Sequence, residues 1–145
     1  MNKNKKYRQG LFVPNNKDKF IGERAVYRSG LELKFFRFCD NNDKVLRWGS
    51  ENIKIPYYNP LTKRTHRYHI DNYGVIKEGE KITKYSVEIK PYKQTKPPTT
   101  KYRKREHLIY EQKQYVTNQA KWAAARKYCD GRDYKFLILT ENEIS

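Results

Sequence analysis

The stretch RYHIDNYGVIKEGEKITKYSVEIKP, residues 67–91, decides how the rest of the chain is read. Two runs rich in β-branched and aromatic residues, 67–76 and 81–90, flank Glu78-Gly79-Glu80, which predicts a β-hairpin. Pro91 ends the second run, because proline cannot donate to a strand ladder. Within residues 84–91, KYSVEIKP, the side chains of Tyr85, Val87 and Ile89 point one way and those of Ser86, Glu88 and Lys90 the other. Glu88 and Lys90 thus project from one face, roughly 6–7 Å apart along the strand. Asp71 precedes Glu88 by 17 residues on the first arm. A short hairpin can carry both carboxylates to the same sheet face.

An isolated E-x-K pattern on a solvated face is an ordinary surface ion pair worth under about 1 kcal/mol. A second carboxylate changes its chemistry. Two unpaired carboxylates repel and raise one pKa, and a divalent cation relieves that repulsion. Oxygen ligands with open water positions suit Mg²⁺ or Mn²⁺. Such an ion acidifies a bound water, polarises a scissile phosphate and steadies the leaving oxygen. Lys90 would orient the attacking water, help deprotonate it, or neutralise charge building on the phosphate.

Upstream of the hairpin, SGLELKFFRFC (29–39) reads as a helix, with Leu31, Phe35, Phe38 and Cys39 at helical spacing and Ser29 with Glu32 as a capping box. The polar run 40–43 stops it, and 45–49 leads into the sheet. Residues 52–58 alternate but are interrupted by Pro56, which suggests an edge or a bend, and 59–62 read as a turn. Downstream, 93–105 form a basic loop, and 115–130 a second helix stopped by Gly131. A last apolar strand spans 134–139, ahead of an acidic tail. This order predicts an α/β or α+β sheet with helices packed on it. Residues 1–26 are taken as a basic arm, and 27–145 as a single domain.

Lys and Arg number 32 against 16 acidic residues, a net charge of +16, and the usual partner for such an excess is nucleic acid. The cations cluster: Lys93, Lys96, Lys101, Arg103, Lys104 and Arg105 lie in the loop that leaves the proposed catalytic strand. Phosphate contacts from such a loop position a duplex without reading its bases. A solvated charge run is the plainer alternative. No apolar run is long enough to span a membrane, and no apolar core follows the basic N-terminus as in a secretory signal. Cys39 and Cys129 lack metal spacing and read as buried thiols in a reducing setting. With 21 aromatic residues, an ordered core is expected despite a mean hydropathy of −1.10.

A carboxylate followed by E-x-K on alternating strand positions resembles the PD-(D/E)xK nuclease superfamily. A longer ordered set sharpens the resemblance: Tyr27-Arg28-Ser29, Phe38-Cys39-Asp40, Trp48-Gly49-Ser50-Glu51, Ile55-Pro56-Tyr57, His66-Arg67-Tyr68, Glu88-Ile89-Lys90-Pro91 and NQAKWAAA at 118–125. Over residues 27–141 the chain resembles the head completion nucleases of tailed bacteriophages, a family similar to the catalytic domain of the TnsA transposition endonuclease. The resemblance implies a restriction-endonuclease-like α/β core, a mixed central β-sheet flanked by helices. It implies a Mg²⁺- or Mn²⁺-dependent endonuclease that cuts or trims double-stranded DNA around the end of genome packaging. Head or portal proteins would be its partners, and its setting the host cytoplasm or the virion head. A homodimer would suit a double-strand cut.

By the same resemblance Glu32, Asp71, Glu88 and Lys90 take the active-site positions, with Asp71, Glu88 and Glu32 as metal ligands. Ile70 stands where the superfamily often has proline before its Asp. Glu32 has a second reading as the carboxylate of the capping box. On the second helix Gln119 is the accessory catalytic candidate, beside Lys121; a solvated helix face is the alternative for both. Trp122 and Tyr128 read as core. A non-enzymatic DNA-binding protein that completes or seals the head is the competing function, and a transposition, repair or restriction nuclease with the same core is a third.

Overall fold

The computed structural model describes residues 9–99 and 104–144. Strands β1 (Gly10–Phe12), β2 (Phe20–Ile21) and β3 (Ala25–Tyr27) precede helix α1 (Gly30–Asn41). Strands β4 (Val45–Asn59), β5 (Arg64–Glu78) and β6 (Lys81–Ile89) follow, then helix α2 (Arg105–Asp130) and strand β7 (Lys135–Leu139). The main sheet runs β2-β4-β5-β6-β7. Its three central strands are antiparallel, while β2 pairs parallel with β4 and β7 parallel with β6. This is the mixed sheet flanked by helices that the sequence predicts.

Each helix covers one face. Phe35, Phe36 and Cys39 of α1 pack with Val45, Trp48 and Val87, and Trp122 and Ala125 of α2 pack with Ile53, Ile55, Tyr57, Tyr68 and Ile70. The predicted apolar face of α1 holds for Phe35 and Cys39, but Phe38 is 41% exposed and Phe36 and Leu33 are buried instead. Both thiols are free and buried.

The expected hairpin is present and longer than its sequence signal. Glu78 pairs with Lys81, so Gly79 and Glu80 form a two-residue turn, and Gly79 at φ 64° occupies the position where the favoured turn has glycine. Pro56 does not interrupt β4. It pairs with Arg67 inside a continuous strand, and beyond Gly49 the other side of β4 has no strand partner among the described residues. Its missing N–H therefore costs no ladder bond. The turn after β4 closes on Asn59, whose side-chain oxygen accepts from Leu61 N–H and whose carbonyl accepts from Lys63 N–H.

Two expectations need correction. The arm over 1–26 is packed from Gly10 onward; residues 1–8 lie outside the described residues. Phe12 and Phe20 lie 6.0 and 4.8 Å from Trp48, and buried Asp40 accepts hydrogen bonds from the backbone N–H of Asn15 and Asn16, each 2.9 Å. The Asn16 side-chain amide adds a bond to the Asp40 carbonyl (2.7 Å), so the segment is anchored on the end of α1. Helix α2 begins at Arg105 rather than 115, because 105–114 contain good helix formers and no Gly or Pro. Apolar spacing hides this half, since Ile109 and Tyr110 remain exposed. Gly131 caps the helix end as expected, at φ −72°, and Asp133 takes a left-handed conformation just beyond it.

Gly49 is held to glycine by packing, since a Cβ there would lie 2.2 Å from the Ile21 carbonyl oxygen, whereas Gly74 has open space. Gly49→Ala is expected to push β2 off the sheet and destabilise the fold by roughly 1–3 kcal/mol in urea denaturation. Gly74→Ala should be neutral or stabilising by up to about 1 kcal/mol.

Candidate active site

The site is built where β5 and β6 diverge. Val87 belongs to the α1-side core and Ile89 packs against it. Alternation therefore turns Glu88 to the α2 side, level with Ile138 of β7. The β5–β6 ladder ends at Asn72–Val87. Continued by one residue, the same register sets Asp71 opposite Glu88, and directly opposed side chains of an antiparallel pair share a face.

The β4–β5 register explains why Asp71 is exposed there. It slips by one residue between the pairs Ile53–Ile70 and Ser50–Asn72. On the near side of the slip Tyr68 and Ile70 face α2. On the far side Asn72 reaches toward α1, where its amide donates to Glu32 Oε2 (3.3 Å). Asp71 stands at this change of face with its side chain open to solvent.

Glu88 is partly buried and enclosed by three groups. The Tyr68 hydroxyl donates to Glu88 Oε1 in a short hydrogen bond. Lys90, two residues on, and Lys121 of α2 both favour the ionised carboxylate. Burial outweighs them, and the Glu88 pKa is raised above its ordinary value. Burial, and next the Glu88 charge, hold the Tyr68 phenol far above its usual range, so it remains a donor. Burial and then Lys90 lower the Lys121 pKa, against the pull of Glu88. The Lys121 ammonium also lies over the rings of Tyr68 and Tyr57, at 5.5 and 6.0 Å.

The structure thus brings Tyr68, Lys90 and Lys121 to Glu88, and the Asp71 charge acts on Tyr68. Glu32 stands at the margin. Its backbone N–H donates to Ser29 Oγ (3.1 Å), and its Oε1 accepts from Arg28 N–H (2.7 Å), one residue earlier than the reciprocal bond of a capping box. With Oε2 taken by Asn72, both oxygens are committed. Among the described residues no three His, Cys, Asp or Glu side chains gather as a metal site, so the expected trio of Asp71, Glu88 and Glu32 is not assembled.

On α2 it is Lys121, rather than Gln119, that engages Glu88. Sequence reasoning missed Tyr68 altogether. Its only sequence signal is an aromatic residue three positions before Asp71, and strict alternation would have put the two on opposite faces. Lys93 and Lys96 line a groove beyond Lys90, and Lys104 and Arg105 lie exposed at the start of α2. Lys101 and Arg103 lie outside the described residues.

Two opposed carboxylates with an open side fit an ion that keeps several waters. Mg²⁺ is commonly held by one or two carboxylates plus substrate phosphates. Zinc would need a nitrogen or sulfur set, and both thiols are buried in the core.

A mixed sheet between two helices, with Glu88 and two lysines on the face that α2 covers, is the frame of a restriction-endonuclease-like nuclease. The family model described as TnsA-like endonuclease, N terminal, matches residues 42–141, and the chain belongs to that endonuclease family. A curated relative, the head completion nuclease of Enterobacteria phage T4, is 36% identical over 141 residues, covering 92% of this chain and 91% of the relative. No solved structure matches.

A carboxyl group whose folded pKa is raised adds stability below its unfolded pKa and loses it as pH rises through the folded pKa. Ionised Glu88 is therefore a cost at neutral pH. Glu88→Gln should raise the melting temperature at pH 7. That gain should vanish near pH 4, which thermal melts across the range would check. Tyr68→Phe removes a bond that favours the ionised form, so it should move the acid limb of any Glu88-dependent activity to higher pH. An unmoved limb in a pH–rate profile would contradict this role.

Proposed function

We propose that this chain is a Mg²⁺- or Mn²⁺-dependent DNA endonuclease that acts in phage head completion. The observation that carries the reading is the partly buried Glu88 held by Tyr68 with Lys90 and Lys121 beside it, on a ladder that stops one pair short of Asp71. Asp71 and Glu88 would hold the ion, which when bound supplies Lewis-acid polarisation of the scissile phosphate and a more acidic water. Glu32 would steady the site through Asn72 rather than as a metal ligand.

The protein groups have separate tasks. Tyr68 fixes the Glu88 carboxylate through Oε1. Two carboxylates and two ammonium groups balance in charge, so a bound divalent ion would leave the site cationic and draw in a phosphodiester. Lys90, at the strand end before Pro91, would place the attacking water or neutralise charge developing on the phosphate. Lys121, with its lowered pKa, is suited to give or share a proton there. Lys93, Lys96, Lys101, Arg103, Lys104 and Arg105 would hold the backbone of duplex DNA. Gln119, partly buried on α2, would be at most an accessory.

The head-completion setting rests on the relative's name and the extent of the match. Head or portal proteins would then be partners, in the host cytoplasm or the assembled head. A homodimer would let two such sites cut both strands. No helix among the described residues is long and apolar enough to cross a membrane.

Purified protein with linear and supercoiled DNA and Mg²⁺ or Mn²⁺ should cleave. Asp71→Ala, Glu88→Gln and Lys90→Ala should each slow cleavage about 100-fold or more, and Lys121→Met about 10-fold or more. Gln119→Ala should stay within a few-fold of the parent. Metal ligands must be deprotonated, so activity should fall with acid through the raised Glu88 pKa. DNA binding without cleavage by any form would instead favour a structural head-completion protein. Cleavage surviving in Asp71→Ala and Lys90→Ala would refute the site.

A further inference from the structure

The groove beside the catalytic strand has a chemistry that phosphate binding alone does not explain. It encloses about 530 Å³ between the segment after β6 and the exposed half of α2. That volume falls within the usual range for small-ligand sites, roughly 300–1,000 Å³. Three tyrosines line it: Tyr92 on one wall, Tyr110 and Tyr115 on the other. Tyr110 is 64% exposed and Tyr92 42%, and the Lys96 ammonium lies over the Tyr92 ring at 5.5 Å. Lys93 and Lys96 supply cations on the same wall as Tyr92, and Glu111 is the only acid among the described lining residues.

This wall is tied down. Glu141 accepts from Tyr92 N–H (2.7 Å), Gln94 N–H donates to the Pro91 carbonyl (3.0 Å), and Thr95 Oγ1 donates to the Tyr92 carbonyl (2.6 Å). The groove also leads to the site. One wall begins directly after Lys90. The other ends at buried Asn118, one helical turn before Lys121 and on the same face of α2.

We propose that this groove takes an unpaired segment of DNA beside the scissile bond, so that the enzyme prefers duplexes carrying a single-stranded end or branch. The proposal rests on the nuclease reading above and specifies its substrate class. Bases inside a duplex are stacked on both faces and cannot meet a tyrosine ring, whereas unpaired bases stack on aromatic side chains without regard to sequence. Tyrosines interleaved with lysines match that ligand, the rings taking bases and the ammonium groups taking phosphates. A purely duplex-binding loop would need the lysines but not the exposed rings of Tyr92 and Tyr110.

The test uses the whole chain with Ca²⁺ in place of Mg²⁺, and two fluorescent DNAs of equal length. One is a blunt duplex; the other is a duplex with a single-stranded extension carrying 2-aminopurine. The parent should bind the extended DNA about tenfold more tightly and quench the 2-aminopurine on binding. Tyr110→Ala, at an exposed position, should lose about tenfold on the extended DNA and little on the blunt one, with Tyr110→Phe close to the parent. Equal affinity for both DNAs, or an equal loss on both in Tyr110→Ala with helix content unchanged, would overturn the proposal. Tight binding of extended DNA without Mg²⁺-dependent cleavage would leave the groove standing and remove the nuclease reading. Cleavage without any preference would do the reverse.

Discussion

The β5–β6 register, fixed by the two-residue turn at Gly79 and Glu80, is the constraint on which the site depends. Side chains on a strand alternate with period two, so a slip of one residue would send Glu88 to the α1 side and Val87 out of its core. Val87 and its neighbour Ile89 on the α1 side prevent that slip, and the same packing that stabilises β6 thereby aims Glu88. The parallel pairing of β7 then closes the outer side of β6 and brings α2 across the face that Glu88 occupies.

The neighbouring slip in the β4–β5 ladder supplies what a regular hairpin could not. In a uniform strand Tyr68 and Asp71 would point to opposite faces. The change of face after Ile70 leaves Tyr68 turned in to Glu88 and Asp71 open to solvent close enough for its charge to act on Tyr68. Glu88 is held at an energetic cost, because burial disfavours its charge more than one hydroxyl and two lysines favour it.

Helix α2 divides its work along its length. Its second half is core, with Trp122, Ala125 and Cys129 buried, and it carries Lys121 to Glu88. Its first half leaves the sheet behind and forms a wall for the groove. On the opposite side of the sheet, α1 carries Glu32 to Asn72, so that its N-terminal turn braces the strand position next to Asp71.

Much of this was legible in the sequence, wherever the signal was local. Alternation in KYSVEIKP placed Glu88 and Lys90 on one face, Gly79 marked the hairpin, Ser29 marked the start of α1, and the ordered motifs pointed to a nuclease family. Composition indicated the polyanion. Tertiary structure alone decided what meets across the sheet: Tyr68 and Lys121 at Glu88, Glu32 drawn to Arg28 and Asn72, the N-terminal segment folded onto Trp48 and Asp40, and the early start of α2. Periodicity records which way a side chain points from its own element, because that depends on backbone geometry alone. Which partners it finds depends on contacts between residues tens of positions apart, and those are set by the packing of whole elements and the register of their ladders.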